Sequence, residues 1–163
     1  MHIVYLHTGS NVGNRQQQLE EAVKKIEIAV GKIVTVSSIY ETSAWGNTDQ
    51  ADFLNQAVAV QTTLSPQQVL EQVLAIEHQM GRVRHADQRW QPRAIDIDIL
   101  LFGELMVIEK NLTIPHPELH KRNFVLVPLM EIAPELLHPV FQKAIEDIYF
   151  DCEDECDVLI YEP

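Results

Sequence analysis

Residues 94–102 read Ala-Ile-Asp-Ile-Asp-Ile-Leu-Leu-Phe, and this stretch restricts the fold more tightly than any other in the chain. Apolar residues alternate with carboxylates, the period of a β-strand, in which successive side chains point to opposite faces. Ile95, Ile97, Ile99 and Leu101 are expected on one face, and Asp96 and Asp98 on the other. Two residues of rise put the two aspartate Cβ atoms roughly 6–7 Å apart. Like charges this close, in a strand that otherwise wants apolar side chains, need a cation beside them, or one carboxyl stays protonated. Carboxylates completed by water and nucleotide phosphate are what Mg2+ accepts. The bland alternative is a solvent-facing side of an amphipathic strand, where Asp is depleted but not forbidden.

The remaining pattern supplies partners for that strand. Residues 2–8 are β-branched and apolar and read as a central strand broken by Gly9-Ser10-Asn11. From about Asn14, Leu19, Val23, Ile26 and Val30 recur at the helical period, and Gly31 closes the segment. Residues 32–40 read as a second strand. Residues 53–62 read as a third, with Phe53, Asn55, Ala57 and Ala59 on one face and Leu54, Val58 and Val60 on the other. A second helix begins at Ser65-Pro66 with Gln68 completing a capping box, buries Val69, Val73, Ile76 and Met80, and stops at Gly81. After residues 94–102 the pattern weakens: 111–116 read as extended, 124–132 as helical, and a faint amphipathic period continues to Tyr149. Strand, helix, strand, strand, helix, strand is the order of a ferredoxin-like βαββαβ core, an α+β arrangement with an antiparallel sheet and two helices on one face. At 163 residues the chain is expected to be one domain, 1–163, with an acidic extension from about residue 146.

Charge is distributed unevenly. The net charge of −12 argues against nucleic-acid and anionic-membrane binding, both of which rely on basic surface. Yet four of the 12 Lys and Arg residues, Arg82, Arg84, Arg89 and Arg93, fall between positions 82 and 93. Residues 146–163 hold eight of the 24 acids and no Lys or Arg. Nothing approaches the roughly 20 apolar residues of a membrane span, and the first ten residues read as a strand in place of a signal peptide; a cytoplasmic protein is expected. The two cysteines, Cys152 and Cys156, are too few for a zinc site and read as ordinary thiols.

The arginines change the weight of the aspartate pair. Guanidinium groups stay charged and grip phosphate oxygens bidentately. Metal carboxylates beside an arginine cluster are the two halves of a polyphosphate site, where positioning and charge stabilisation do the chemistry. Trp90 could cover a flat substrate or anchor the loop. His116, Arg122 beside Phe124, Asn55 and Glu77 are weaker candidates, each with a structural alternative. Gly9-Ser10-Asn11-Val12-Gly13 lacks the Lys-Ser/Thr ending of a phosphate loop and reads as a turn with helix capping.

The motifs Gly9–Asn11, Phe53–Asn55, Gly81–Arg84, Arg89–Gly103 (R-W-x-P-R-x-I-D-I-D-I-L-L-F-G), Leu112–His116, Arg122 and Phe124 together closely resemble the 6-hydroxymethyl-7,8-dihydropterin pyrophosphokinase family over residues 1–140. The resemblance implies a ferredoxin-like fold and transfer of pyrophosphate from Mg-ATP to the pterin hydroxymethyl group, with release of AMP, in folate biosynthesis. It implies that Asp96 and Asp98 bind two magnesium ions and that Arg82 and Arg93 assist catalysis. It assigns ATP contacts to Glu77, Arg84, His85, Arg89, Ile99, Thr113, His116 and Arg122. It places the pterin against Thr42, Ser43, Ala44, Trp45, Phe53, Asn55, Trp90 and Phe124. The chain departs from the family pattern at His85, Gln91, Asn111, Pro117 and Phe53. A monomer acting on two small-molecule substrates is expected. Two other readings remain open on residues alone: an ordinary γ-phosphoryl kinase, and a non-catalytic module that senses nucleotide or metal.

Overall fold

The structure, a computed structural model, describes residues 1–42, 52–81 and 94–163. In chain order the elements are β1 (His2–Ser10), α1 (Arg15–Ala29), β2 (Lys32–Val36), β3 (Tyr40–Thr42), β4 (Phe53–Thr62), α2 (Pro66–Gln79), β5 (Asp96–Phe102), β6 (Val107–Glu109), β7 (Leu112–Ile114), a 3-10 turn (Leu119–Lys121), α3 (Asn123–Ile132), α4 (Ile145–Asp151) and β8 (Leu159–Ile160). The main sheet runs β5-β1-β4-β3-β8, with β2 also paired to β4, and all its pairings are antiparallel. Because β4 lies between β1 and β2, the chain crosses from β1 over α1 and leaves a gap that β4 fills. That is the split βαβ unit of the ferredoxin-like fold.

Several strand boundaries differ from those expected, β5 beginning at Asp96 and not at Ala94. β1 runs on through Gly9 and Ser10, whose partners on β4 are Asn55 and Leu54, so these residues belong to the sheet. The expected strand over 32–40 divides into β2 and β3. Between them Ser37 turns its side chain to the ladder: its Oγ accepts from Ala57 N at 2.9 Å while its own N donates to Ala57 O at 2.9 Å. A serine hydroxyl competes with strand pairing in this way.

The face carrying α1 and α2 is a continuous apolar core. Leu19, Ala22 and Ile26 of α1 and Val69, Val73 and Ile76 of α2 pack on Val4, Leu6, Leu54, Val58, Val60, Ile95, Ile97, Ile99 and Phe102. Both helices start where local chemistry directs: Asn14 accepts from Gln17 N, and Ser65 and Gln68 form the capping box ahead of Val69. Gly31 serves a close approach, since a Cβ there would sit 2.0 Å from Gln61 O on β4.

The sheet's other face is covered as well, by α3 and α4, whose Val125, Leu126, Leu129, Ile145 and Ile148 bury Leu100, Leu101 and Leu119. Leu101 was expected beside the isoleucines of β5, and the structure overturns that. Tyr5 pairs with Leu101 and Leu6 with Ile99, so a bulge leaves Leu100 unpaired and reverses the alternation. Leu101 therefore turns to α3 and Phe102 to α2's side. The acidic end of the chain is also part of this architecture. β8 pairs with β3, Tyr161 N donates to Ile39 O at 2.9 Å, and Asp154 bonds the start of α3. No helix among the described residues is long and apolar enough to cross a membrane.

Candidate active site

In an antiparallel ladder, directly opposed residues share a face. On the α3 side of the sheet this places Asp96 opposite Gly9, Gly9 opposite Asn55, and Asn55 opposite Tyr40. One row thus crosses four strands: Asp96, Gly9, Asn55, Tyr40. The adjacent row holds Asp98, His7 and Ala57. The two aspartates are half-buried and, as the strand period required, point to this face, while Ile97 between them points into the α1–α2 core.

Gly9 makes the floor of the row low. A Cβ there would lie 3.5 Å from Asn55 Oδ1 and 3.7 Å from His7 Cε1, filling the space between the carboxylates and the amide. Asn55 is buried, and its Nδ2 donates to Thr42 Oγ1 at 2.9 Å, which fixes the amide and turns its oxygen toward Gly9. Phe53 sits opposite Thr42 at the start of β4, half-buried on the same face. At the far end, the Tyr40 hydroxyl donates to Glu131 Oε1 of α3; burial, followed by that carboxylate, pushes its pKa up to about 12.

The first turn of α3 roofs this face. Phe124 meets the His7 ring edge-on at 5.6 Å between centroids, and the Arg122 guanidinium lies 5.7 Å from the Phe124 ring centre. His116 reaches the site from β7's exit. Its backbone N donates to Leu100 O at 2.9 Å, fastening it to the outer edge of β5, and its Nδ1 accepts from Glu118 N at 3.1 Å. A neutral His116 therefore carries its proton on Nε2, available to an anion. Burial lowers the His116 pKa, with Asp98 pulling it up and Arg122 pushing it down, so the three groups share one electrostatic neighbourhood.

Glu77 of α2 is buried at 3% exposure, and its Oε2 accepts from Ile97 N at 2.8 Å. Among the described residues β5 is an edge strand of the sheet, and the carboxylate supplies that outward N–H with an acceptor. Ile99 is buried in the α1–α2 core, which leaves its main chain on β5 as the part able to meet a ligand. Thr113 is half-buried in β7, paired with Ile108. The structure thus gathers Asp96, Asp98, Thr42, Phe53, Asn55, His116, Arg122 and Phe124 around one sheet face. Arg82, Arg84, His85, Arg89, Trp90, Arg93, Ser43, Ala44 and Trp45 lie outside the described residues.

One residue of this face escaped the sequence reading. His7 is 4% exposed, opposite Asp98, with Nε2 3.2 Å from Phe124 O. A carbonyl only accepts, so Nε2 bears hydrogen. Burial lowers the His7 pKa, against the pull of Asp98 and Asp96. In an apolar strand a lone histidine gives little signal; only the register with β5 reveals what it faces. As for a metal, two carboxylates at this spacing suit Mg2+, which takes one or two protein oxygens and completes its shell with water and phosphate. Among the described residues no group of three or more His, Cys, Asp or Glu side chains converges to cage an ion.

Four likenesses stand beside this geometry. The model of the 7,8-dihydro-6-hydroxymethylpterin-pyrophosphokinase (HPPK) family matches residues 5–134. The chain is 40% identical over 147 residues to the 2-amino-4-hydroxy-6-hydroxymethyldihydropteridine pyrophosphokinase of Aquifex aeolicus, covering 90% of each chain. It is 46% identical over 134 residues to the protein of that name in Methylorubrum extorquens, covering 82% of this chain and 84% of that one. Among solved structures, that of Plasmodium falciparum wild-type HPPK-DHPS superposes with a TM-score of 0.74 at 20% identity, covering 92% of this chain and 44% of the longer one. That last likeness bears on the fold.

Proposed function

This chain belongs to the 7,8-dihydro-6-hydroxymethylpterin-pyrophosphokinase family, and we propose that its two substrates meet over the row Asp96, Gly9, Asn55. The family's reaction is ATP-dependent transfer of a pyrophosphoryl group to the hydroxymethyl group of the dihydropterin in folate synthesis. The bond between the α- and β-phosphates breaks, the pterin oxygen bonds the β-phosphorus and loses its proton, and AMP leaves.

The observation that carries the division of labour is that row. Asp96 and Asn55 are two strands apart, about 10 Å, a span that a bicyclic heterocycle with a one-carbon arm can bridge once glycine stands between. Asp96 and Asp98 are the ligands for Mg2+, in our reading two ions. Magnesium held by these carboxylates would supply positive charge to neutralise the phosphates. His116, with hydrogen on Nε2, and Arg122 hold phosphate or ribose oxygens. Thr113 and the main chain of Ile99 border the nucleotide, and Glu77 keeps the β5 edge in shape beneath it. Asn55 Oδ1 accepts from a ring N–H of the pterin, with Thr42 holding the amide and Phe53 and Phe124 lining the ring's faces. From the segments outside the described residues, Arg82 and Arg93 assist transfer, Arg84, His85 and Arg89 hold ATP, and Ser43, Ala44, Trp45 and Trp90 enclose the pterin. We take the chain to act as a cytoplasmic monomer, one domain including its acidic end.

Incubation with Mg-ATP and 6-hydroxymethyl-7,8-dihydropterin, with nucleotides resolved by chromatography, tests this. AMP should appear in step with pterin consumption and depend on Mg2+. ADP as the sole nucleotide product would mean a γ-phosphoryl kinase, and intact ATP with fresh pterin a binding module.

A further inference from the structure

α3 begins without help from its own neighbours. Arg122, at the N-cap position, makes no side-chain capping bond, and first-turn N–H groups have no partner within a helix. The Asn123 N–H instead donates to Asp154 Oδ2 at 2.8 Å, and Asn123 Nδ2 donates to Asp154 O at 2.8 Å. Asp154 Oδ1 is engaged as well, accepting from Cys156 N at 2.9 Å. A carboxylate also favours the positive end of the helix dipole. Asp154 lies in the acidic C-terminal segment, beyond residues 5–134 that the family model matches.

One turn later the helix has a second gap. Residue 128 is proline inside α3, so the carbonyl four residues earlier, that of Phe124, lacks its regular i+4 N–H donor. That carbonyl is the one His7 Nε2 approaches at 3.2 Å, from 117 positions away in sequence. The same histidine ring packs edge-on against the Phe124 ring. Two residues far apart in the chain therefore supply the hydrogen bonds that the first turn of α3 cannot make for itself. Arg122 and Phe124 flank Asn123 in that turn.

We propose that His7 and Asp154 are positioning residues that set the first turn of α3, and through it Arg122 and Phe124, for substrate. This rests on the reading that Arg122 and Phe124 contact nucleotide and pterin. His7 acts here as a hydrogen-bond donor and a packing surface, and Asp154 as an acceptor that ties the acidic segment to the site.

The test is steady-state kinetics on the full chain, with thermal melting of each variant. His7→Ala and Asp154→Ala should each raise KM for both substrates about tenfold, since small misplacements of binding groups are costly, and leave kcat within about threefold. Asp154→Asn, which keeps an acceptor oxygen for Asn123 N, and His7→Gln, which keeps a donor, should recover most of the loss. Asn123→Pro gives an independent arm: proline suits the first helical position and removes both donors to Asp154. It should fold and still raise both KM values, even where Asp154→Ala does not fold. Melting temperatures that fall while KM stays within twofold in these variants would overturn the proposal, leaving purely structural bonds. Arg122→Ala and Phe124→Ala separate the two failures. If they raise KM and the positioning variants do not, this inference falls alone; if they too change nothing, the site reading falls.

Discussion

The two faces of the sheet are built by different rules. Under α1 and α2, buried side chains such as Leu6, Val58, Val60, Ile97 and Phe102 interlock with Leu19, Ile26 and Val73 in an apolar layer. Under α3, at the end where β1 and β5 meet, the same strands present Asp96, Asp98, His7 and Asn55. Each polar group there has a purpose outside packing: Asn55 is held by Thr42, His7 completes α3, and the carboxylates suit a cation. Strand alternation lets one element serve both faces, so Ile97 anchors the fold while its neighbours Asp96 and Asp98 are left for chemistry. Stability and activity should therefore separate by residue parity along a single strand.

The largest expected effect breaks the active face alone. Asp98→Ala should lower kcat/KM by about a thousandfold or more, as expected when charge stabilisation of transferring phosphate is lost. Its melting temperature should stay near that of the wild type. Global unfolding of this variant would show Asp98 to be structural, and the contrast between faces would collapse. The opposite cut is Leu6→Ala, one residue from His7 on β1. Leu6 is fully buried, and its truncation should cost about 3 kcal/mol in urea unfolding. The folded fraction should retain substrate KM values, and a large rise in them would show that the apolar layer tunes the site. A smaller effect on the same side is Ser65→Ala, which removes half of the capping box on α2. It should cost about 1 kcal/mol with no change in kcat. A fall in kcat here would implicate α2, through Glu77, in holding the β5 edge.

The apolar face was legible because its rules are periodic. The 3.6-residue spacing of Leu19, Ile26, Val69, Val73 and Ile76 and the capping box at Ser65 and Gln68 are local signals, and the structure keeps them. Asp96 and Asp98 were legible for the same reason. What stayed hidden depends on register. The bulge between Tyr5 and Leu6 sends Leu101 to the α3 face, and no pattern within 94–102 predicts it. His7 became a site residue only when its partner Asp98 was known. The acidic segment carried no readable role in the sequence because its use is specific and long-range: one carboxylate, Asp154, on the Asn123 N–H, and a two-residue strand on β3.

The smallest effect sharpens the comparison through pH. Burial lowers the pKa of His7 and His116 on the active face, and of His138 away from it, where His120 adds to the effect. An unfolded chain holds these imidazoles near their ordinary value, about 6.5. Between that value and the lower folded one the unfolded state binds more protons, so stability falls as pH drops below about 6.5 and is level with respect to these groups above it. Each group contributes at most about 1.4 kcal/mol per pH unit across its window. Urea unfolding without nucleotide, followed from pH 7.5 to 5, should show this acid slope, and His7→Gln should reduce it while leaving the part due to His138. A slope unchanged by that substitution would mean the pull of Asp98 and Asp96 on His7 cancels burial, and a steeper one that it outweighs burial. His7 would then be an imidazolium in the folded protein, and the carboxylates would already face a cation of the chain's own, which Mg2+ would have to displace.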